Sequence, residues 1–164
     1  MKSGSARELH HPRWADAAQP IAHLANSRTA LHDPRWPAIA AALSALRDRG
    51  RFAVRIVDAD CGAGSLLLHA VHHARTLGFT AIEGRGIDGS PALIGRASAA
   101  AKRQRDPGIG VDFEVADAIV ALSDEYDLPA DIVLWNGACR HSVDQALSRA
   151  GNMIIRDVDT GAQA

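Results

Sequence analysis

Lysine is almost absent from this chain, and cysteine, net charge and long apolar runs are scarce as well. Lys2 and Lys102 are the only lysines, so no Gly-Lys-Ser/Thr phosphate loop exists. A formal net charge of −1 over 164 residues supplies no general field toward nucleic acid or an acidic membrane. Two cysteines, Cys61 and Cys139, make neither a disulfide framework nor a four-cysteine metal site. With Cys61 inside what reads as a ligand loop, they fit a reducing cytoplasm. No apolar run approaches the roughly 18 residues of a membrane span, and Met1 to His11 holds no apolar signal core. Repeats and low-complexity segments are missing too. What is left, 47% hydrophobic and 23% charged, suits a globular domain with its own core.

The N-terminal part reads as a polar arm and two helices. Ala17 to Leu31 carries Ile21, Leu24 and Leu31 on one side, with Pro20 delaying its start. A turn at His32 to Pro37 follows, and then a helix from Ala38 to Arg49 that Gly50 stops. From Phe52 onward strands and helices alternate. Strands are expected at Phe52–Asp58, Thr80–Asp88, Val111–Val115, Asp131–Asn136 and Asn152–Val158. Helices are expected at Ser65–Leu77, Ser90–Gln104, Ala118–Leu122 and Ser142–Ala150, with a polar turn at Asp124–Leu128. Ser90 reads as an N-cap with Pro91 at the first helical position. Such alternation implies an α/β fold: a doubly wound, mostly parallel Rossmann-like sheet of about five strands with helices on both faces. Residues 1–50 are expected as arm and helical cap, and 51–164 as the ligand-binding domain.

The chemistry concentrates where the first strand ends, at Ile56-Val57-Asp58-Ala59-Asp60-Cys61-Gly62-Ala63-Gly64-Ser65. A strand, a loop of small residues and a helix let backbone come close to a nucleotide. A dinucleotide loop needs a third glycine where helix and strand touch, and Leu67 stands there instead. The loop, the acidic end of the second strand (Gly86-Ile87-Asp88-Gly89-Ser90-Pro91), the Asp after the third (Glu114-Val115-Ala116-Asp117-Ala118) and the apolar fourth strand opened by Asp131 occur in order. In this the chain resembles the class I S-adenosylmethionine-dependent methyltransferases over about Phe52 to Val158.

The resemblance implies S-adenosyl-L-methionine as cofactor and a small-molecule methyl acceptor, with neither nucleic acid nor membrane as partner. It implies cofactor contacts at Asp58, Ala59, Asp60, Gly62, Gly64, Asp88, Gly89, Asp117, Ala118 and Asn136. Asp88 would serve the two ribose hydroxyls, Asp117 the adenine amino group, and Asp58 the loop and the ammonium. Helix capping is the competing reading for Asp88 and Asp117, and loop support for Asp58. Asp60 stands where the family has its first glycine, a position that asks for backbone freedom. Methyl transfer is an in-line displacement that rests largely on positioning. Asn136, at the tip of the fourth strand, and His141, the nearest general base, are therefore the catalytic candidates, against loop capping. A cofactor-binding protein without transferase activity, regulatory or partner-dependent, is the alternative function. The family continues beyond its fifth strand, so here that strand is expected as an exposed edge, covered by a partner subunit in a homodimer, by the N-terminal helices or through an unusual topology. Trp14, Arg28, His32 and Trp36 would line a substrate pocket or, as aromatics commonly do, anchor helices to the sheet. His69, His72 and His73 read as a solvated helix face rather than a metal site.

Overall fold

The computed structural model describes residues 28–136 and 141–157. The expected elements are present, with shifted ends. In chain order they are α1 (Arg28–Leu31), α2 (Trp36–Asp48), β1 (Ala53–Asp58), α3 (Ser65–Thr76), β2 (Ala81–Asp88), α4 (Pro91–Ala101), β3 (Ile109–Val115), α5 (Ala118–Leu122), a 3-10 turn (Ser123–Glu125), β4 (Ile132–Trp135), α6 (His141–Ala150) and β5 (Ile154–Arg156). Pro37 sits in the first turn of α2, and the Ser90 hydroxyl caps α4 by accepting the Leu93 N–H. Trp14, Cys139, Val158 and most of the first expected helix lie outside the described residues.

All five strands run parallel in the order β3-β2-β1-β4-β5. Among the described strands β5 therefore forms one edge and β3 the other. Asp131 joins β4 to β1 from the side: its Oδ2 accepts the Arg55 backbone N–H at 2.9 Å. Alternation along each strand divides the core between the two faces. Val54, Ile56, Ile82, Ile132 and Leu134 meet α2 and α3 on one face. Val57, Ile87 and Val133 meet α5 and α6 on the other. Among the described residues, no helix is long and apolar enough to cross a membrane.

One expectation changes on packing grounds. The histidines of α3 are not a solvated face: His69 is buried, its ring 4.0 Å from that of Trp36, and His73 meets the same indole edge-on. Trp36 thus anchors α2 to α3, and no metal-ligating cluster occurs among the described residues. Gly84 and Gly86 on β2 lie under packed side chains. They leave space that Val71 and Leu67, or the Phe113 ring, fill from above.

Candidate functional site

Parallel strands place their carboxyl ends along one edge, where α/β sheets bind ligands. Asp58, Asp88, Asp117 and Asn136 all fall on that edge because each ends or follows a strand there. The loop after β1 is pinned to its neighbours by backbone bonds. Ala59 donates its N–H to the Leu134 carbonyl and Cys61 to that of Ile87, both at 3.0 Å.

Asp88 is the centre of this edge. Its Oδ2 accepts the Gly62 N–H at 3.0 Å, and its Oδ1 accepts the Ser90 N–H at 2.8 Å. One buried carboxylate thus fixes both the loop after β1 and the turn after β2. It is not the cap of α4, a role that Ser90 fills. Asp117 does cap its helix: Oδ1 accepts from Ile119 and Val120 at 3.0 and 3.1 Å. Because a carboxylate accepts about four hydrogen bonds, Oδ2 of this exposed residue is available for another donor. Gly89 is exposed beside Asp88, and Ala118 is half-buried at the start of α5.

Gly62 and Gly64 carry left-handed φ angles of 55° and 74°. Asp60 does not, since no described residue other than glycine has a positive φ. The expected need for glycine at position 60 is therefore absent: the loop makes its left-handed steps two and four residues later. Asp60 instead adds charge. Burial raises its pKa, and the adjacent Asp88 carboxyl raises it further. Asp58 is 1% exposed, and burial pushes its pKa up to about 7. Arg35 and the Asp60 backbone N–H work against that rise, while the Asp60 and Asp33 charges add to it. The same acidic, enclosed setting raises the Cys61 thiol, which is buried and unreactive as a thiolate.

Arg35 is a site residue with no motif in the sequence. It is 5% exposed, precedes α2, and stands 4.0 Å from Asp58. It was detectable only as an arginine in the turn at His32 to Pro37, with nothing to give its partner. Asn136 is exposed just past β4. His141 opens α6, and its side chain lies outside the described residues, as does that of Arg28. His32 is exposed. A concavity of about 590 Å3 lies at the opposite edge among Arg51, Thr80, Asp131 and Asn152. The glycine loop and the convergent carboxylates lie at the carboxyl edge instead.

No protein-family model matches the chain, and neither does any curated protein. Solved structures do. A Listeria monocytogenes protein described as a class I S-adenosylmethionine-dependent methyltransferase superposes with a TM-score of 0.53 at 19% identity, over 71% of this chain and 42% of its own. Monomeric WbdD superposes at 0.53 and 21% identity, over 92% of this chain and 34% of its own. In another structure of WbdD, described as a bifunctional kinase-methyltransferase, the figures are 0.51 and 21%, over 89% and 30%. The fold is that of the class I S-adenosylmethionine-dependent methyltransferases. The chain spans about two fifths of the Listeria protein and about a third of WbdD. That fold accounts for the edge on which the loop and the carboxylates meet.

Proposed function

We propose that the chain binds S-adenosyl-L-methionine at the carboxyl edge of β1 and β2 and transfers its methyl group to a small molecule. The observation that supports this most is Asp88, buried and bonded to both Gly62 and Ser90, with Asp58 and Asp60 beside it. The donor set fits: acceptor-only carboxylates suit a ligand rich in hydroxyls, an amino group, an ammonium and a sulfonium. When bound, the cofactor supplies an electrophilic methyl group.

The chain's own residues bind and orient. Asp88 holds the loop and offers its remaining lone pairs to the ribose hydroxyls. Gly62 and Gly64, with Ala59, Gly89 and Ala118, keep the approach narrow and free of side chains. Asp117 Oδ2 accepts from the adenine amino group. Asp58 and Asp60 supply negative potential for the cationic end. Asn136 orients the acceptor through its amide, and His141 takes the acceptor's proton on its imidazole. The N-terminal helices, tied to the site through Arg35, act as its cap.

Titration calorimetry tests the pocket. The chain is expected to bind S-adenosylhomocysteine, and Asp88→Ala to weaken that binding by at least about tenfold, or about 1.4 kcal/mol. An affinity within about threefold of the parent, roughly 0.7 kcal/mol, would place the ligand elsewhere. Turnover on a panel of small acceptors then separates methyl transfer from binding without transfer.

A further inference from the structure

From Gly89 to Arg105, the stretch that holds α4, the sequence has four cations and no acid, in a chain whose formal net charge is −1. The four are Arg96, Lys102, Arg103 and Arg105, and all are exposed. None of them pairs with a carboxylate among the described residues, whereas Arg35, Arg51, Arg55, Arg75, Arg85 and Arg156 each do. Their bonds go to local backbone instead. Arg96 and Arg103 donate from Nε to the Ala92 and Ala99 carbonyls at 3.5 and 3.3 Å, and Arg105 donates from Nη1 to the Lys102 carbonyl at 2.7 Å. A helix favours cations near its carboxyl end, which accounts for Lys102, Arg103 and Arg105. Arg96 lies in the second turn and has no such reason. Both Nη atoms of Arg96 and of Arg103 stay open to an anion.

Arg96, Ala99, Ala100 and Arg103 follow at the spacing i, i+3, i+4, i+7 and so share one face of α4. Between the two arginines this face borders a concavity of about 340 Å3, closed from the other side by Ala63 and Leu68 at the start of α3. The walls are mainly apolar, and the flanks are two guanidinium groups about 10 Å apart along the helix. Ala92 and Gly95, exposed on the same helix, add no bulk that would hold a second element away.

A free anion satisfies the arginines and leaves the apolar walls wet. An apolar side chain does the reverse. An amphipathic helix with acidic residues beside its apolar stripe does both. We propose that the groove between α3 and α4 docks an acidic amphipathic helix of a partner protein. Two of its carboxylates, about two turns apart, meet Arg96 and Arg103, and an apolar side chain between them enters the concavity. Nucleic acid fits this surface less well. α4 presents no aromatic ring on which a base could stack, and the chain outside the Gly89–Arg105 stretch is net acidic, which repels a long phosphate backbone. A second copy meeting this face through its own α4 would set like charges against each other. The docking surface is independent of the methyl-transfer reading and stands or falls without it.

The test uses the full chain and the fluorescence anisotropy of a labelled, alanine-rich helical peptide of about 15 residues. The peptide has glutamates two turns apart and a leucine midway between them. The parent is expected to bind it, and to bind a version with serine for the leucine at least about fivefold more weakly. Arg96→Glu combined with Arg103→Glu is expected to weaken the leucine peptide at least about tenfold. Arg49→Glu, a reversal of an exposed arginine just past α2, is expected to leave it unchanged. A parent that binds neither peptide, or both alike, overturns the proposal. So does a folded double variant that retains the affinity, or a loss from Arg49→Glu as large as that of the double variant. Tighter binding of a labelled oligothymidylate than of the leucine peptide overturns it in favour of nucleic acid. Circular dichroism establishes folding, and the leucine and serine peptides on the parent stay decisive if the double variant does not fold.

Discussion

Asp58 is held in a setting that disfavours its charge. Burial pushes its pKa up to about 7 from 3.8, and the Arg35 guanidinium, 4.0 Å away, offsets only part of the effect. The sign of the linkage follows. Between those two values the folded chain keeps a proton that the unfolded chain has released. Asp58 therefore costs stability progressively as pH rises from about 4 to about 7, and the full cost persists above that. Asp58→Asn removes the titration. The variant is expected to gain most over the parent at pH 8, by about 2–4 kcal/mol less the cost of any lost contact, and least at pH 4. Thermal unfolding at both pH values checks this, and an equal difference at the two would show that the burial does not act on ionisation. A strand-end carboxylate such as Asp58 or Asp88 is legible in sequence because an apolar run ends on it. Its charge state is not, because Arg35 reaches it from a different element. Asp60 shows the converse: a motif position asked for glycine, and the loop makes its left-handed steps elsewhere.

At the scale of elements, the unit from β1 through the loop to α3 depends on two glycines for different reasons. At Gly62 an added Cβ meets nothing within 4 Å, so only its left-handed φ of 55° opposes a side chain. At Gly64 the φ is 74°, and a Cβ would lie 2.6 Å from the Phe113 ring and 2.9 Å from the Ala97 methyl group. Gly62→Ala is expected to cost about 1 kcal/mol, from backbone strain alone. Gly64→Ala adds overpacking between β3 and α4, for a total of about 2–4 kcal/mol. Urea unfolding of the two variants measures the difference, and equal losses would show that Phe113 yields freely. The glycine pattern was legible as a ligand loop. The contact with Phe113 was not, because it joins residues far apart in the chain. The same holds for Leu67, which excluded a third loop glycine in the sequence. In the fold it is fully buried, and Gly84 on β2 supplies the space between helix and strand. Element ends shifted where local signals conflicted: β3 starts at Ile109, just after Pro107 and Gly108.

The whole molecule places unlike cores on the two faces of its sheet. One face is mainly apolar, with His69 buried among its hydrophobic side chains and Arg35 and Asp58 buried at its carboxyl end. The other is apolar near β4 and ionic near β2, where Glu125 lies fully buried between two arginines. Its carboxylate bonds Arg85 Nη1 at 2.6 Å and also pairs with Arg55. Outer partners surround this pair, Glu83 on Arg55 at 3.0 Å, and Glu114 and Asp124 on Arg85 at 2.5 and 3.1 Å. In sequence, Glu125 belongs to a segment that reads as a polar turn. Only the 3-10 turn after α5 carries it beneath the sheet, and neither arginine on β1 or β2 announces it. Glu125→Ala leaves two partly buried guanidinium groups without their shared anion. Glu83, Glu114 and Asp124 still serve them, so the expected loss is about 3 kcal/mol, the low end for breaking a buried pair. Glu83 is 60% exposed, and Glu83→Ala is expected to cost no more than about 1 kcal/mol. Raised salt is expected to narrow the loss for Glu83→Ala and to leave that for Glu125→Ala nearly unchanged, because screening acts on the exposed pair. Urea unfolding of both variants at low and high salt decides the matter. Equal losses would mean that the ionic half of this face is a solvated surface and not part of the core.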